Sequence, residues 1–165
     1  MHDVKRPTPT RRKVVQTIAA VCACGIPSAS GAAAMHSIDQ ITDPGASAAT
    51  NMFRFEPDFV RISPGESIAF LNSRGEHTVH SIPQFWPADR APVAIASEPR
   101  AEVTFDAPGL YGFRCNRHGQ YGMVMLVAVG QDPEPEDIDS RIEAMRARDR
   151  EKTAFRALVE RYRTT

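Results

Sequence analysis

The stretch that decides the fold of this chain runs from residue 107 to residue 123 and reads APGLYGFRCNRHGQYGM. A Pro-Gly turn opens it, and an alternating run follows that places two aromatic side chains on the same face of a β-strand as Cys115. A short loop comes next, on which Cys115, His118 and Met123 are spaced as C-x2-H-x4-M. The stretch therefore predicts a β-strand that ends in a loop carrying a thiolate, an imidazole and a thioether.

These three side chains are a ligand set that suits copper. Soft sulfur ligands combined with imidazole favour copper over magnesium or calcium, and a weak Met beside a plane of two His and one Cys describes a blue-copper electron-transfer site. The loop has one His, so a second must come from elsewhere, and His77 is the candidate. His80 is the alternative, although strand alternation would turn it to the opposite face. Met125 follows Met123 at strand spacing and is predicted to be a core residue.

The rest of the chain consists of short apolar runs joined by turns rich in Pro and Gly, which predicts an all-β sandwich or barrel. Residues 35–50 are rich in small and polar side chains, and we interpret them as a flexible lead-in. The predicted strands are centred on Phe53–Phe55, Val60–Ile62, Ile68–Leu71, Val103–Phe105, Tyr111–Cys115 and Met123–Val129.

After Gly130 the chain becomes acidic and Pro-rich, and then helical in pattern. Apolar residues at helical spacing between Ile138 and Tyr162 predict two amphipathic helices that pack on the β-domain. One long helix is the alternative, because no Gly or Pro separates the two apolar stripes. A helix that binds a partner is the other interpretation of those stripes.

Residues 1–34 have the pattern of an export signal, with a basic stretch, an apolar run over 14–26 and then small residues. Thr10–Gln16 resembles a twin-arginine signal, with the ordinary secretory route as the alternative. Cleavage before Met35 would leave Cys115 as the single cysteine, and a thiol without a partner is either inert or functional in an oxidising compartment. The apolar run is shorter than the roughly 20 residues that span a bilayer, so we expect a periplasmic protein without stable membrane insertion.

The overall composition limits the class of protein further. A chain of 165 residues with 42% hydrophobic content has room for one folded domain and a short appendage. Its 20 basic and 20 acidic residues give no formal net charge. Because nucleic-acid binding requires a basic surface, we expect no nucleic-acid partner.

Three segments together resemble the cupredoxins, and within that family the pseudoazurins. They are residues 75–79, which read GEHTV, residues 107–115, and the loop from Cys115 to Met123. A Phe-rich strand, the Pro-Gly-Glu turn at residues 64–66 and a helical extension after the last strand agree with this resemblance.

The resemblance implies a fold and a ligand set. The fold would be a cupredoxin-like Greek-key β-sandwich over residues 51–130, followed by a C-terminal two-helix extension over residues 131–165. The cofactor would be a single type 1 copper ion, and its ligands would be His77, Cys115, His118 and Met123.

The resemblance also implies a periplasmic one-electron carrier and not an enzyme, with copper cycling between Cu(II) and Cu(I). His77 would be the buried ligand on a strand, and His118 would be the electron port where redox partners dock transiently. The donor would be a protein such as a cytochrome, and the acceptor a terminal reductase such as a copper nitrite reductase. Cys115 is flanked by Arg114 and Asn116, not by the His that joins type 1 copper to a catalytic copper in copper oxidases. We expect a monomer, and copper storage or delivery is the alternative function.

The chain departs from the family pattern in three respects. Arg117 precedes the loop His where the family usually has Pro, and Thr78 follows His77 where it usually has Asn. Both should alter solvent access, redox potential and partner choice. The lysine ring with which pseudoazurins dock acidic partners is also missing, since Lys152 is the single lysine after residue 34. Arginines could replace that ring in part, namely Arg54, Arg61, Arg74, Arg90, Arg100, Arg114 and Arg117.

Overall fold

Two β-sheets face each other in the computed structural model, which describes residues 35–72, 76–131 and 134–165. Within these residues one sheet has four strands in the order β2-β1-β4-β7, and the other has five in the order β3-β9-β8-β5-β6. The strands are β1 (Met35–Thr42), β2 (Phe53–Glu56), β3 (Phe59–Ile62), β4 (Glu66–Leu71), β5 (Thr78–Ser81), β6 (Ala94–Ala96), β7 (Arg100–Phe105), β8 (Gly109–Arg114) and β9 (Val124–Val129). The predicted all-β sandwich is confirmed.

Both sheets are mixed, because each contains one parallel pair of strands among antiparallel ones. The parallel pairs are β1 with β4 and β3 with β9, and the other neighbours run antiparallel. Aromatic and aliphatic side chains from the inner faces of both sheets fill the space between them. This core includes Ile38, Phe55, Ile68, Phe70, Phe105, Tyr111, Phe113, Met125 and Val127, together with Cys115 and Met123.

The prediction of a flexible lead-in over residues 35–50 is wrong for residues 35–42, which form β1 in the interior of its sheet. Two features of the sequence hid this strand. Its buried positions are Ile38 and Gln40, so a polar side chain interrupts the apolar alternation. Its stability also comes from pairing with β2 on one side and β4 on the other, and such pairing is set by tertiary context more than by propensity. The sandwich therefore begins before residue 51.

The strand β8 alternates as its sequence predicts. Its aromatic side chains face the core between the sheets, together with Cys115, which follows the strand directly. Gly112 and Arg114 face the opposite side, towards the helical extension. A Cβ atom on Gly112 would lie 2.9 Å from the ring of Phe155 and 2.9 Å from Phe85 Cβ, so this position has no room for a larger residue.

The chain contains three α-helices in its described part, namely α1 (Ala49–Met52), α2 (Ile138–Glu143) and α3 (Asp149–Thr164). The prediction of two C-terminal helices is confirmed, and the alternative of one long helix is wrong. Both helices pack on the outer face of the five-stranded sheet, as expected, through a second apolar cluster that includes Leu126, Ile142, Phe155 and Leu158. Arg148 breaks the helical path by adopting an extended conformation just before α3.

None of the helices in the described residues is long and apolar enough to span a membrane. The predicted export signal, residues 1–34, lies outside the described residues. The twin-arginine resemblance and the cleavage before Met35 therefore stay predictions.

Candidate metal centre

Three potential ligand atoms converge at one end of the sandwich. The Nδ1 atoms of His77 and His118 lie 3.1 Å apart, and Cys115 Sγ lies 3.5 Å from His118 Nδ1 and 4.0 Å from His77 Nδ1. Metal bonds to imidazole nitrogen and to thiolate sulfur are about 2.0–2.3 Å long. An ion within this triangle could therefore bond all three atoms with little rearrangement, so the residues present fit a single metal ion.

The burial of the three residues differs in the way that the family resemblance implies. His77 is 1% exposed and Cys115 is fully buried, whereas His118 is half-buried on its loop. His77 lies directly before β5 instead of within a strand, which is a small departure from the expectation. Solvent can therefore approach the group at the His118 side.

Met123 is fully buried in the same apolar cluster as Cys115. The backbone N–H of Cys115 donates to the Met123 carbonyl over 3.1 Å, and the N–H of Met123 donates to the His118 carbonyl over 3.3 Å. The loop thus folds back so that the backbone of Met123 lies against two of the proposed ligands. Its assignment as the axial ligand stays a prediction.

Two other candidate residues lie away from the centre. His80 is not part of the convergent group. It pairs across the sheet with Arg114, and burial together with the charge of that arginine lowers the pKa of His80. Met125 is a core residue opposite Phe113, as predicted.

The ligand loop keeps its shape through its own backbone hydrogen bonds. The N–H of Gly119 donates to the Cys115 carbonyl over 2.7 Å, and the N–H of Tyr121 donates to the His118 carbonyl over 2.9 Å. The second of these bonds, together with the bond from the Gly122 N–H to the Gly119 carbonyl over 2.8 Å, forms a turn of 3-10 helix over Gly119–Tyr121. Gly122 then adopts φ of 99°, a left-handed conformation that favours glycine, and redirects the chain into β9.

Thr78 supports the thiol directly. Its Oγ1 lies 3.7 Å from Cys115 Sγ and accepts the backbone N–H of Asn116 over 3.0 Å. Burial raises the pKa of the Cys115 thiol, but hydrogen bonds from Thr78 and from the backbone of the ligand loop outweigh burial and lower it. These hydrogen bonds therefore stabilise the thiolate, which is the form that binds metal. Thr78, which stands where the family usually has Asn, thus has a structural role through its hydroxyl.

Thr42 is a functional residue that the sequence did not reveal. Its Oγ1 lies 3.0 Å from His77 Nε2. With Nδ1 bound to a metal, Nε2 would carry the proton and donate a hydrogen bond to this hydroxyl, and such hydrogen bonds fix the orientation of a metal-bound imidazole. Thr42 ends β1, the strand that lies within the predicted lead-in, so no signal in the sequence pointed to it.

Phe53 is a second residue that the sequence did not connect with the site. Its ring stacks on the His118 ring with centroids 3.9 Å apart and an interplanar angle of 6°. The ring of Tyr121, which is 39% exposed, lies 5.5 Å from Phe53. An aromatic cover therefore restricts the motion of His118 and forms the surface next to it.

Comparison with known proteins identifies the class. Residues 45–130, more than half of the chain, match the family of copper-binding proteins described as the plastocyanin/azurin family. The chain belongs to this family. Copper is therefore its cofactor, and His77, Cys115, His118 and Met123 form a plausible type 1 copper site.

The relatives and structural neighbours narrow the comparison to pseudoazurins. The chain is 37% identical to the pseudoazurin of Methylorubrum extorquens over 116 residues, which cover 69% of this chain and 72% of that protein. It is 35% identical to the pseudoazurin of Paracoccus pantotrophus over 107 residues, or 65% of this chain and 71% of that protein. The crystal structure of pseudoazurin from Hyphomicrobium denitrificans covers 78% of this chain and 98% of its own, with a TM-score of 0.65 and 25% identity.

Proposed function

We propose that this protein is a one-electron carrier with a single type 1 copper ion held by His77, Cys115, His118 and Met123. The observation that carries the proposal is the convergence of two imidazole Nδ1 atoms and a buried thiol within 4.8 Å of one another, in a chain of the plastocyanin/azurin family. When bound, copper would accept one electron and return it. Similarity to proteins named pseudoazurin supports the same proposal.

The residues around the ligands would keep the centre rigid and dry. Thr42 holds the ring of His77, Thr78 holds the start of the ligand loop, and Phe53 covers one face of His118. Such support restricts ligand movement when the charge of a bound metal changes, and it limits the access of water. A ligand set that suits both copper(II) and copper(I) then needs little rearrangement between the two states.

Electron exchange without substrate turnover fits the residues beside the thiol. The neighbours of Cys115 are Arg114 and Asn116, and neither is an imidazole that could bind a second copper ion. We therefore infer a carrier and not an enzyme. Partners would dock transiently near His118, which is the half-buried ligand.

The location and the partners are part of the same proposal. The pattern of residues 1–34 supports export to the periplasm. There, a donor such as a cytochrome and an acceptor such as a copper nitrite reductase would exchange electrons with a monomeric carrier.

Spectroscopy of the copper-loaded protein tests the ligand set. Copper(II) added to the purified protein should give an intense visible charge-transfer band that Cys115→Ser abolishes and His77→Ala shifts or removes. Met123→Leu should alter the spectrum, whereas the matched change Met125→Leu in the core should leave the band in place. A colourless wild-type protein, or an unchanged spectrum in His77→Ala, would refute the proposal.

Copper retention distinguishes the carrier from a storage or delivery protein. A carrier should keep its copper through repeated oxidation and reduction in the presence of a copper(I) chelator. Loss of the metal to the chelator in the reduced state alone would favour delivery.

A further inference from the structure

Arg117 lies beside the metal centre, where the family usually has Pro, and its charge is paired. Among the other arginines that could replace the lysine ring, Arg74 lies outside the described residues and Arg61 donates to the Tyr162 carbonyl. The ion pairs in this set are Arg54 with Asp43 and Glu56, Arg90 with Asp106, Arg100 with Glu102, Arg114 with Glu151 and Arg117 with Glu76. Carboxylates therefore neutralise much of the expected arginine ring.

The ion pair between Arg117 and Glu76 has a special place in the fold. Arg117 directly precedes His118, and Glu76 directly precedes His77. The two charged residues are 41 positions apart in the chain, and Nη1 of the arginine donates to Oε2 of the glutamate. The pair therefore joins the two segments that carry the imidazole ligands, at the residue next to each ligand.

Another contact joins the same two segments on the other side of His77 in the sequence. Thr78 is buried, and its Oγ1 accepts the backbone N–H of Asn116 over 3.0 Å. The ion pair is open to water by contrast, since the side chains of Arg117 and Glu76 are 52% and 73% exposed. His77 thus lies between a buried neutral contact and an exposed charged one.

An arginine at position 117 leaves the ligand loop with more conformational freedom than a proline would. Proline restricts its own φ angle and the conformation of the residue before it, which reduces the conformational entropy of the unfolded chain. Arginine imposes neither restriction, so the order of the segment before His118 depends more on contacts with the rest of the fold. The ion pair with Glu76 supplies such a contact.

We propose that Glu76 and Arg117 are positioning residues that close the metal centre on its solvent side and slow the exit of copper. This proposal rests on the proposed carrier function and adds a salt-sensitive control of metal retention. His118 is the half-buried ligand, so the metal ion leaves most easily when the segment of His118 moves away from that of His77. The ion pair opposes this separation, because its two charges lie on the two segments.

The rate of copper loss to neocuproine, a neutral copper(I) chelator, tests the closure. In copper(I)-loaded protein at low ionic strength, Glu76→Gln and Arg117→Gln should each speed the loss about two- to fivefold, since an exposed ion pair has a small effect. The double variant should lose copper no faster than either single variant, because all three remove the same contact. Arg90→Gln breaks an ion pair elsewhere on the sandwich and should leave the rate unchanged.

Salt should act on the wild-type protein more than on the double variant. The distance over which charges attract falls from about 8 Å at physiological ionic strength to about 3 Å at 1 M. Sodium sulfate at high ionic strength should therefore bring the wild-type rate close to that of the double variant, whose own rate should change by less than about twofold. Exchanging the charges, as Glu76→Arg with Arg117→Glu, should restore slow loss at low ionic strength.

The reduction potential provides a readout that separates charge from a merely structural effect. Positive charge near the copper ion disfavours copper(II), the more positive of the two states. Glu76→Gln leaves the charge of Arg117 unpaired and should raise the potential, whereas Arg117→Gln should lower it. The potential of the double variant should lie between those of the single variants.

Three results would overturn the proposal. The first is an unchanged rate of copper loss in both single variants. The second is an additive increase in the double variant, which would show that the two residues act separately. The third is a shift of the reduction potential in the same direction in both single variants, which would assign the effect to loosened structure.

Hydrogen–deuterium exchange separates this proposal from the carrier function. The ion pair would hold the same segments in the metal-free protein, so Arg117→Gln should speed exchange at the amides of Gly119 and Tyr121, and Arg90→Gln should not. That difference in a protein without a copper band would refute the carrier function alone. A normal copper band with no change in exchange or in copper loss would refute the closure alone.

Discussion

Replacing Glu151 with Ala should destabilise the protein and disturb the metal centre at once. The carboxylate of Glu151 accepts a hydrogen bond from Arg114, the residue before Cys115, over 2.7 Å. It also lies against Gly119, the residue after His118, where an added Cβ would come within 3.2 Å of the carboxylate carbon. One side chain of α3 therefore contacts both ends of the segment that carries two of the proposed ligands.

The expected magnitude follows from the burial of the ion pair. The side chain of Glu151 is 5% exposed and that of Arg114 is 25% exposed. Removing one partner of a fully buried pair costs about 3–5 kcal/mol, whereas an exposed pair contributes about 0–1 kcal/mol. Because a quarter of Arg114 is solvated, we expect Glu151→Ala to lower the free energy of unfolding by about 2–3 kcal/mol. Glu151→Gln keeps the shape and an acceptor oxygen, and it should cost about 1 kcal/mol.

Urea unfolding monitored by circular dichroism measures both variants, and Glu143→Ala is the matched control. Glu143 also pairs with basic side chains, but it is 65% exposed, so its removal should cost less than about 1 kcal/mol. The visible spectrum of copper-loaded Glu151→Ala should shift because the ligand loop loses a support. A cost for Glu151→Ala no larger than that of Glu143→Ala would refute the reasoning.

Three further predictions concern other supports of the fold and the site. Thr42→Val removes the hydrogen bond to His77 and should weaken copper binding about 10–100-fold, measured by competition with a chelator. Gly112→Ala forces a Cβ to within 2.9 Å of two buried aromatic side chains and should cost about 1–3 kcal/mol in urea unfolding. Hydrogen bonds from Arg163 lower the pKa of Glu134 below its ordinary value of 4.5. This carboxyl has a lower pKa in the folded state than in the unfolded state. Its ionised form therefore stabilises the fold fully above the ordinary pKa, and this stabilisation is lost as the pH falls through the folded-state pKa. Glu134→Gln should therefore lower the urea midpoint at neutral pH, and the difference from wild type should close in acid.

Each of these predictions has a control. Thr104→Val removes an exposed strand hydroxyl and should leave copper affinity unchanged. Gly45→Ala adds a Cβ in a turn where the nearest contact is 3.5 Å away, so stability should change little. A Glu134→Gln difference that persists unchanged in acid would contradict the role assigned to its charge.

The sequence was most informative where the structure depends on near neighbours along the chain. The loop from Cys115 to Met123 carries its ligands within nine residues, and its backbone hydrogen bonds are made within the loop itself. The alternation along β8 likewise predicted which side chains face the core, including Cys115. The choice of His77 over His80 as the second imidazole rested on strand alternation and on the family resemblance, because nothing local to His77 indicates proximity to the loop.

The features that the sequence did not reveal depend on contacts between distant segments. Thr42 lies 35 residues from His77 in the chain, and the strand that places it there is recognisable by its pairing and not by its composition. The pairing of the arginines that could replace the lysine ring also depends on contacts between distant segments. Whether the charge of Arg117 is paired depends on where Glu76 lies in the fold, and sequence spacing does not report that.

The contact of Glu151 with Gly119 also makes α3 an indicator of metal loading. Coupling between two sites is reciprocal, so if an ordered α3 strengthens copper binding, bound copper must protect α3 from local unfolding by the same free energy. Limited proteolysis within residues 149–164 should then slow when the protein is loaded with copper. The end of the chain would report on the state of a centre that lies on another part of the fold.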